Sequence, residues 1–184
     1  GTREFGLSNT NRLLKMATNF RVTGLKTGST STAKYCLSAT AEKDGIELIA
    51  AVMAAPDYKA RFADAAALLN YGYSICRLYE DPDPPVLPSM PVEGGVEEQT
   101  GLVYDGAFSY LSTDGEDFGT IERILKLEET LKAPVEAGQK AGILEYRLQG
   151  EKIGEIPVVT ETAVRQADYP DYLKRLVLAW LTGL

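Results

Sequence analysis

The residues most suited to chemistry lie close together near the start of the chain. Residues 24–30 read Gly-Leu-Lys-Thr-Gly-Ser-Thr. This stretch places a cation, hydroxyl groups and two glycines on one extended segment, and no other stretch of the sequence carries recognisable chemistry. Apolar, β-type runs follow it, so the segment itself is predicted to be a strand.

A nucleotide-binding loop is one alternative for this segment, because such loops also combine Gly, Lys and Thr. A phosphate loop needs glycine immediately before its lysine and a helix after it, whereas Leu25 precedes Lys26 and a β-type run follows. The spacing therefore excludes a phosphate loop. The remaining alternative is an exposed strand edge on which Lys26 and Thr27 have no role.

Composition limits the function classes further. The 184 residues are 45% hydrophobic, which is enough for one ordinary domain or two small ones. A net charge of −7 without a basic stripe argues against a nucleic-acid partner, because that affinity depends on clustered Lys and Arg. The chain has no histidine, which excludes Ser-His-Asp and Cys-His triads and most zinc sites. Any general base must then be Lys, Asp or Glu, and we expect neither a metal nor a cofactor.

The two cysteines, Cys36 and Cys76, lie in apolar or aromatic sequence surroundings without metal-ligand spacing. Their pattern favours small buried residues, and it leaves open whether they form a disulfide. No secretory signal peptide opens the sequence. This does not argue for a cytoplasmic protein, because a leader is removed on export.

A hairpin and a helix are predicted to support the polar segment. Residues 32–42 and 46–55 are β-capable runs, and Asp44-Gly45 between them suits a tight hairpin turn. The unbroken apolar stretch Leu48-Ile-Ala-Ala-Val-Met predicts a central strand covered on both faces. A helix should begin with Asp57 as its N-cap and end at Gly72. Its apolar side is predicted to consist of Phe62, Ala65, Ala66, Leu68, Leu69 and Tyr73.

Prolines mark the boundary between two predicted domains. The stretch Glu80-Asp-Pro-Asp-Pro-Pro can continue neither a helix nor a central strand. Short β-type runs separated by Asp-Gly and Gln-Gly turns follow, which is typical of a small antiparallel β-domain. These runs are Gly101 to Tyr104, Ala107 to Leu111, Gly119 to Leu127, Gly142 to Gln149 and Lys152 to Thr160. We predict an α+β chain with domain limits 1–80, a linker 81–89, a β-rich domain 90–164 and a helix 165–184.

The last segment has the pattern of an amphipathic helix. Leu173, Leu176, Val177, Trp180, Leu181 and Leu184 share one helical face, and Lys174, Arg175 and Thr182 lie elsewhere. The helix is too short to cross a hydrocarbon core about 30 Å thick. We expect residues 168–184 to lie on a membrane surface. The alternative is that their apolar face packs on the β-domain.

Two parts of the chain resemble one enzyme family. Residues 24–30 resemble the third active-site motif of the penicillin-recognising serine enzymes. Residues 9–80 are similar to the last part of the transpeptidase-type domain of D-alanyl-D-alanine carboxypeptidases, the low-molecular-mass penicillin-binding proteins. Residues 90–164 resemble the β-rich domain that follows it. The other matching strings are Asn9-Thr-Asn-Arg-Leu-Leu, Tyr35-Cys-Leu-Ser-Ala-Thr-Ala, Leu48-Ile-Ala-Ala-Val-Met, Leu68-Leu-Asn-Tyr-Gly-Tyr and Leu131-Lys-Ala-Pro-Val-Glu-Ala-Gly.

This resemblance implies a fold, a mechanism and residue roles. The fold would be a partial β-lactamase-like antiparallel sheet with a packed helix, then a β-sandwich-like domain. In the family a serine, activated by a lysine one helical turn later, attacks the bond between two terminal D-alanines and forms an acyl-enzyme. Lys26 would attract the substrate carboxylate, Thr27 would donate its hydroxyl to it, and Gly28 would let substrate backbone approach. The Ser29 N–H would supply half of the oxyanion hole, and Arg61 would help to hold the carboxylate. Peptidoglycan stem peptides and β-lactams are the implied ligands.

The family's nucleophile motif does not occur upstream of Lys26. The family requires Ser-x-x-Lys and Ser-x-Asn there, and neither occurs among residues 1–23. Ser31-Thr-Ala-Lys34 has the first spacing, but we expect Ser31 and Lys34 on one extended segment, where positions i and i+3 point to opposite faces. We therefore expect the C-terminal portion of an extracytoplasmic serine-type carboxypeptidase at the outer face of the bacterial membrane, inactive without a missing N-terminal catalytic segment. The alternative is a non-catalytic, wall-associated binding or scaffold protein.

Overall fold

The computed structural model describes residues 2, 6 and 8–182 of the chain. The chain divides into two compact units. One comprises Gly1–Leu78 with Leu111–Glu116, and the other comprises Tyr79–Tyr110 with Asp117–Leu184. Each unit has its own cluster of buried apolar side chains, so each can be described by itself.

Three antiparallel strands form the sheet of the first unit. They are β1 (Arg21–Thr30), β2 (Lys34–Lys43) and β3 (Ile46–Ala55), with β2 in the middle, and a short 3-10 helix, Arg12–Lys15, precedes them. The predicted hairpin between β2 and β3 is confirmed. Asp44 and Gly45 have φ values of +50° and +77°, the left-handed conformations that a two-residue hairpin turn favours.

Helix α1 (Ala60–Ile75) packs on this sheet. It begins at Ala60 and not directly after Asp57, but Asp57 Oδ1 still accepts hydrogen bonds from the N–H groups of Ala60 (2.9 Å) and Lys59 (2.7 Å). These bonds lower the pKa of Asp57. The prediction that Gly72 ends the helix is wrong. A Cβ at this position would lie 2.6 Å from Leu48 Cδ1, so glycine allows the helix to approach β3 closely.

The core of the first unit lies between α1 and one face of the sheet. The buried side chains are Leu13, Phe20, Leu37, Ala39, Ala41, Ala50, Val52, Ala55, Phe62, Ala65 and Leu69. Leu68, which is predicted on the apolar side of α1, is instead 51% exposed. The buried face of α1 is therefore narrower than the set of apolar residues predicted for it.

Strand β3 is covered on one face only, so the prediction of a central strand covered on both faces is wrong. Ala50 and Val52 are buried, whereas Ile49 and Met53 are 74% and 81% exposed. Successive side chains of a strand point to opposite faces, and α1 covers only one of them. Among the described strands β3 pairs with β2 alone, so it lies at the sheet edge.

The remaining strands are mostly short. They are β4 (Arg77–Glu80), β5 (Met90–Glu93), β6 (Gln99–Thr100), β7 (Leu102–Tyr104), β8 (Ser109–Ser112), β9 (Glu122–Leu127), β10 (Leu131–Lys132), β11 (Lys140–Leu148) and β12 (Glu151–Thr160). In the second unit an antiparallel sheet has the order β7-β12-β11-β9, and a smaller sheet has the order β10-β5-β6. Apart from the parallel pair of β5 and β10, the sheets are antiparallel, and together with the α-helices of the described residues they confirm the predicted α+β class.

Asp81 binds the segment that precedes β5 to the second unit. Its side chain is 3% exposed. Asp81 accepts a hydrogen bond of 2.8 Å from the hydroxyl of Tyr146, which is itself fully buried, and one of 3.2 Å from Arg123 Nη1. Burial raises the pKa of Tyr146, and the bond to Asp81 adds to this effect. The first residue of the predicted linker is thus held by the β-rich unit.

Helix α2 (Tyr169–Thr182) is the last described element. Its first turn is anchored by Arg165, which donates to both carboxylate oxygens of Asp171 at 2.7 and 2.8 Å. Arg175 donates to the carbonyl oxygens of Gly95 (2.8 Å) and Val96, which ties the middle of the helix to the same unit. Within the described part of the chain, no helix combines the length and the hydrophobicity needed to span a bilayer.

The apolar face of α2 is exposed and is not packed on the rest of the second unit. Leu173, Leu176, Val177, Trp180 and Leu181 are between 48% and 82% exposed. The amphipathic helix predicted from the sequence is confirmed for these residues, and Leu184 lies outside the described residues. Packing of this face on the β-domain, the alternative left open by the sequence, would instead bury these side chains.

Candidate active site

Strand β1 places the predicted site residues at an accessible sheet edge. Among the described strands β1 pairs with β2 alone, so its other side is open. In the strand register Lys26 lies opposite Ser38, and Thr27 lies opposite Leu37. Because side chains alternate between faces, Thr27 shares the face of the core residue Leu37, and Lys26 lies on the other face.

Lys26 has an exposed side chain. Its Nζ donates a hydrogen bond of 2.8 Å to the carbonyl oxygen of Thr27, the next residue on the strand. None of the ion pairs among the described residues involves Lys26. Its positive charge is therefore available to an anionic ligand.

Thr27 is half-buried and has a hydroxyl partner that the sequence did not identify. Its Oγ1 lies 2.7 Å from Thr10 Oγ1, in the loop before the 3-10 helix. Sequence patterns alone assign Thr10 no role. The nearest signal is the pair of asparagines on either side of Thr10, which is typical of an ordered turn.

Gly28 and Ser29 complete the motif on β1. A Cβ added at Gly28 would have no heavy atom of the described residues within 4 Å, its chain neighbours apart. The space beside Gly28 is thus open, as the approach of a ligand backbone would require. Ser29 lies opposite Tyr35, one pair before the end of the β1–β2 ladder.

Arg61 is brought to the same strand from α1, but it lies beneath the sheet and is only 9% exposed. Its Nη1 donates to the carbonyl oxygens of Gly28 and Cys36, both at 3.4 Å. The guanidinium carbon lies 4.8 Å from the centroid of the Phe62 ring and 5.6 Å from that of Tyr35. This arrangement fixes the backbone of β1 and β2 beside Gly28 and holds a positive charge behind it.

A shallow cavity of about 340 Å³ lies on the open face of the sheet. Lys26 and Gly28 form one side, Cys36 and Ser38 lie on the middle strand, and Met53 forms the far side. Cys36 and Cys76 are both free and half-buried, so no disulfide joins them. Within the described residues no cluster of His, Cys, Asp and Glu has a metal-binding arrangement.

Ser31 and Lys34 do not lie on one extended segment, so that prediction is wrong. Residues 31–33 form the turn between β1 and β2, closed by a 2.9 Å hydrogen bond from the Ala33 N–H to Thr30 Oγ1. Lys34, which follows the turn, adopts a φ of +51°. No hydrogen bond of the described residues joins Ser31 to Lys34.

Comparison with known proteins identifies the family of both units. Residues 2–57 match the D-alanyl-D-alanine carboxypeptidase family, and residues 83–166 match the C-terminal domain of penicillin-binding protein 5. Both units therefore match parts of D-alanyl-D-alanine carboxypeptidases of the penicillin-binding protein 5 type. The first match contains Lys26 to Ser29, whereas Arg61 lies beyond its last residue.

Individual members of the carboxypeptidase family align with most of this chain. The D-alanyl-D-alanine carboxypeptidase DacF of Bacillus subtilis is 32% identical over 181 residues, which are 97% of this chain and 46% of DacF. DacC of Escherichia coli is 28% identical over 88% of this chain and 40% of its own length. The chain thus spans less than half the length of these relatives.

A solved carboxypeptidase structure shares the fold. Penicillin binding protein 5 of Haemophilus influenzae superposes with a TM-score of 0.61 and 26% identity, covering 80% of this chain and 43% of that protein. The resemblance read from residues 9–80 and 90–164 is therefore confirmed at the level of the family and of the fold.

Proposed function

We propose that this chain forms the substrate-binding strand and the β-rich domain of a serine-type D-Ala-D-Ala carboxypeptidase. The enzyme would remove the terminal D-alanine of peptidoglycan stem peptides. The observation that carries this proposal is the position of Lys26, Thr27 and Gly28 on the open edge of β1, with the Lys26 side chain unpaired by any described carboxylate. An extended peptide can lie along such an edge and pair with its backbone.

Each residue of the motif has a separate task in this mechanism. Lys26 provides a positive charge that attracts the terminal carboxylate and tunes neighbouring groups. Thr27 donates its hydroxyl proton to that carboxylate as a charge-assisted hydrogen bond. Gly28 leaves room for the substrate backbone, because no heavy atom of the described residues lies within 4 Å of a Cβ built at this position. The Ser29 N–H stabilises the developing oxyanion, a type of donor that contributes about 3 kcal/mol.

Arg61 acts from behind the strand. Its guanidinium group reaches the Gly28 carbonyl oxygen at 3.4 Å and is too buried to form a broad contact with a ligand in solution. We assign it two effects: it fixes the backbone beside Gly28, and it adds positive potential where the carboxylate binds. Both effects help to hold the carboxylate, as the family resemblance implies.

The acyl-enzyme step needs a serine nucleophile that these residues do not supply. No Ser-x-x-Lys precedes Lys26 among the 184 residues, and Ser31 lies in a hairpin turn without a bond to Lys34. We propose that the serine and its lysine base come from a segment outside this sequence. The 184-residue chain alone should then form no covalent penicillin adduct.

Intact-mass spectrometry after treatment with benzylpenicillin tests this assignment. The 184-residue chain should keep its mass, and a protein that carries the same residues together with a Ser-x-x-Lys segment should gain one penicilloyl group. A stoichiometric adduct on the 184-residue chain would show that it holds its own nucleophile and would refute the assignment. Absence of any Ser-x-x-Lys from the natural protein would favour the alternative, a non-catalytic wall-associated binding or scaffold protein.

The proposed site of action is the outer face of the bacterial cytoplasmic membrane. Helix α2 supports this, because its hydrogen bonds through Asp171 and Arg175 hold it in the second unit and leave the apolar face exposed. A helix with one apolar face lies in the interface between lipid headgroups and acyl chains. Residues 168–184 would thus hold the enzyme at the membrane surface, close to newly made peptidoglycan.

A further inference from the structure

A second hydroxyl group lies beside the one proposed to bind the substrate carboxylate. Thr10 Oγ1 and Thr27 Oγ1 are 2.7 Å apart, the ordinary distance of a hydrogen bond between hydroxyl groups. The two residues are 17 positions apart in the chain, so the contact is made by the fold and not by local sequence.

The loop that carries Thr10 is held firmly on both sides of it. Asn9 Oδ1 accepts a hydrogen bond of 2.9 Å from the Asn11 N–H, and Asn11 Oδ1 accepts one of 3.1 Å from the Leu13 N–H. Asn11 is 1% exposed and Leu13 is fully buried. Thr10 is itself exposed, yet its neighbours fix its backbone in front of Thr27.

The chemistry of the pair gives Thr10 a definite task. A hydroxyl group has one proton and two acceptor lone pairs, so one member of the pair donates and the other keeps its own proton for a further acceptor. We propose that Thr10 is a positioning residue, whose hydroxyl donates to Thr27 Oγ1 and leaves the Thr27 proton directed at the substrate carboxylate. This inference rests on the proposed function, in which Thr27 contacts that carboxylate.

Two physical effects follow from this arrangement. The bond selects one χ1 rotamer of Thr27, which removes the freedom that carboxylate binding would otherwise have to restrict. A hydroxyl that accepts a hydrogen bond is also polarised, and it becomes a better donor to the next acceptor. Both effects require the Thr10 hydroxyl, whereas the Thr10 methyl group has no part in them.

The same strand offers a matched control. Thr23 Oγ1 donates to Thr40 Oγ1 at 2.8 Å, which is a second exposed hydroxyl pair between two threonines of the first unit. Loss of the Thr23 hydroxyl removes the same kind of bond from β1 but leaves Thr27 unchanged. Thr23→Val therefore reports the effect of losing such a pair on stability alone.

The experiment compares two substrates in the complete enzyme that carries these residues. They are diacetyl-L-lysyl-D-alanyl-D-alanine and its C-terminal amide, which lacks the negative charge. Thr10→Val should lower kcat/KM for the free carboxylate about fivefold, the size expected for one ordinary hydrogen bond. Thr10→Ser and Thr23→Val should remain within about twofold of the parent enzyme, and the amide should be insensitive to Thr10→Val.

A double-mutant cycle separates this inference from the function on which it rests. In a Thr27→Val background, Thr10→Val should cause no further loss, because its effect passes through Thr27. If Thr27→Val alone leaves kcat/KM unchanged, the role of Thr27 in the proposed function is wrong. If Thr27→Val is impaired but Thr10→Val equals the parent enzyme, the Thr10 inference alone is overturned.

An NMR measurement on the 184-residue chain decides the same point without catalysis. The χ1 couplings of Thr27 should report a single rotamer in the parent chain and in Thr10→Ser, and averaging in Thr10→Ala. A Thr27 side chain that keeps its single rotamer in the folded Thr10→Ala chain would overturn the proposal.

Discussion

The exposed face of helix α2 provides the most direct quantitative prediction, because the chain carries its own reporter there. Trp180 is the only tryptophan of the sequence, and its side chain is 82% exposed on the apolar face. We expect its fluorescence to shift to shorter wavelength when the chain binds phospholipid vesicles. Transfer of the ring from water into the lipid interface causes this shift.

The expected affinity follows from the exposed side chains. Leu173, Leu176, Val177, Trp180 and Leu181 are between 48% and 82% exposed, so together they offer about three fully exposed large side chains for burial. At about 1.5 to 3 kcal/mol for each one buried, insertion would gain roughly 5 to 9 kcal/mol before the cost of immobilisation. Partition into the interface should therefore be measurable with micromolar protein.

The perturbation is the double change Leu176→Ser and Leu181→Ser, two leucines that are 70% and 67% exposed. It should remove about 2 to 4 kcal/mol, which weakens partition between about 30-fold and several hundred-fold. The matched control is Leu178→Ser, the same substitution on another side of the helix, and its effect on partition should be clearly smaller. Vesicle titrations, followed by Trp180 emission, measure the partition of the parent chain, the double variant and the control variant.

Two outcomes would refute this reasoning. One is a Trp180 spectrum that vesicles do not change. The other is equal vesicle binding by the chain with and without residues 168–184, which would locate the lipid contact elsewhere. Circular dichroism should show that the serine variants keep the fold, since the altered side chains make little contact with the second unit.

Three further changes test other parts of the structure. In the complete enzyme Thr27→Val should raise the activation free energy of acylation by the D-Ala-D-Ala substrate by about 1.5 to 3 kcal/mol, because it removes a charge-assisted hydrogen bond. Unchanged acylation kinetics in a folded variant would contradict the role of this hydroxyl. Gly154→Ala should destabilise the second unit by about 1 to 3 kcal/mol in urea unfolding, because its Cβ would lie 2.5 Å from Cε2 of the Phe108 ring; an unchanged midpoint would show that the ring moves freely. The Lys126 ammonium group, together with a neighbouring guanidinium, lowers the pKa of Glu145 from 4.5 to about 2, so Glu145 stabilises the fold above about pH 4.5 and loses this effect as the pH falls toward 2. Glu145→Gln should therefore lower the urea midpoint at pH 7 but not at pH 2, and an equal loss at both values would show that charge is not the cause.

Local signals account for the elements that the sequence predicts well. The Asp44-Gly45 turn needs only two residues with positive φ, and these residues specify it wherever the rest of the chain lies. The β-runs of the second unit are likewise bounded by turn residues. Observed strands β11 and β12, at Lys140–Leu148 and Glu151–Thr160, differ from the predicted runs by only one or two residues at their ends.

The wrong predictions come from sequence patterns that are compatible with two different structures. A glycine near the end of an apolar helical pattern predicts a helix end, but it equally permits close packing, and Gly72 serves the second purpose against Leu48. An apolar strand reads the same whether one or both of its faces are covered. Coverage depends on elements distant in the chain, so Ile49 and Met53 could not be placed from their own neighbours.

The same difference between local sequence signals and tertiary contacts applies to the candidate site. The motif from Lys26 to Ser29 is contiguous, so its position on one strand could be predicted. The contact of Thr10 with Thr27 and that of Arg61 with Gly28 join residues 17 and 33 positions apart. Such contacts depend on tertiary distances, which a single sequence does not contain.

The proposed function gives one explanation for two features of the first unit that are otherwise unrelated. The open face of its sheet exposes Ile49 and Met53, and soluble proteins rarely leave such apolar patches uncovered unless a partner binds there. Lys26 lies on the same face, beside a cavity that Met53 closes on its far side. In the proposed mechanism the serine nucleophile comes from a segment outside this sequence, and that segment would have to approach Lys26 beside this cavity. We infer that the segment that brings the serine also covers Ile49 and Met53, so that burial of this apolar face and assembly of the catalytic site are one event.

Mixing the chain with a separately produced Ser-x-x-Lys segment should then restore penicillin labelling and protect Met53 from oxidation in parallel. Labelling without protection would show that assembly of the catalytic site does not bury this apolar face.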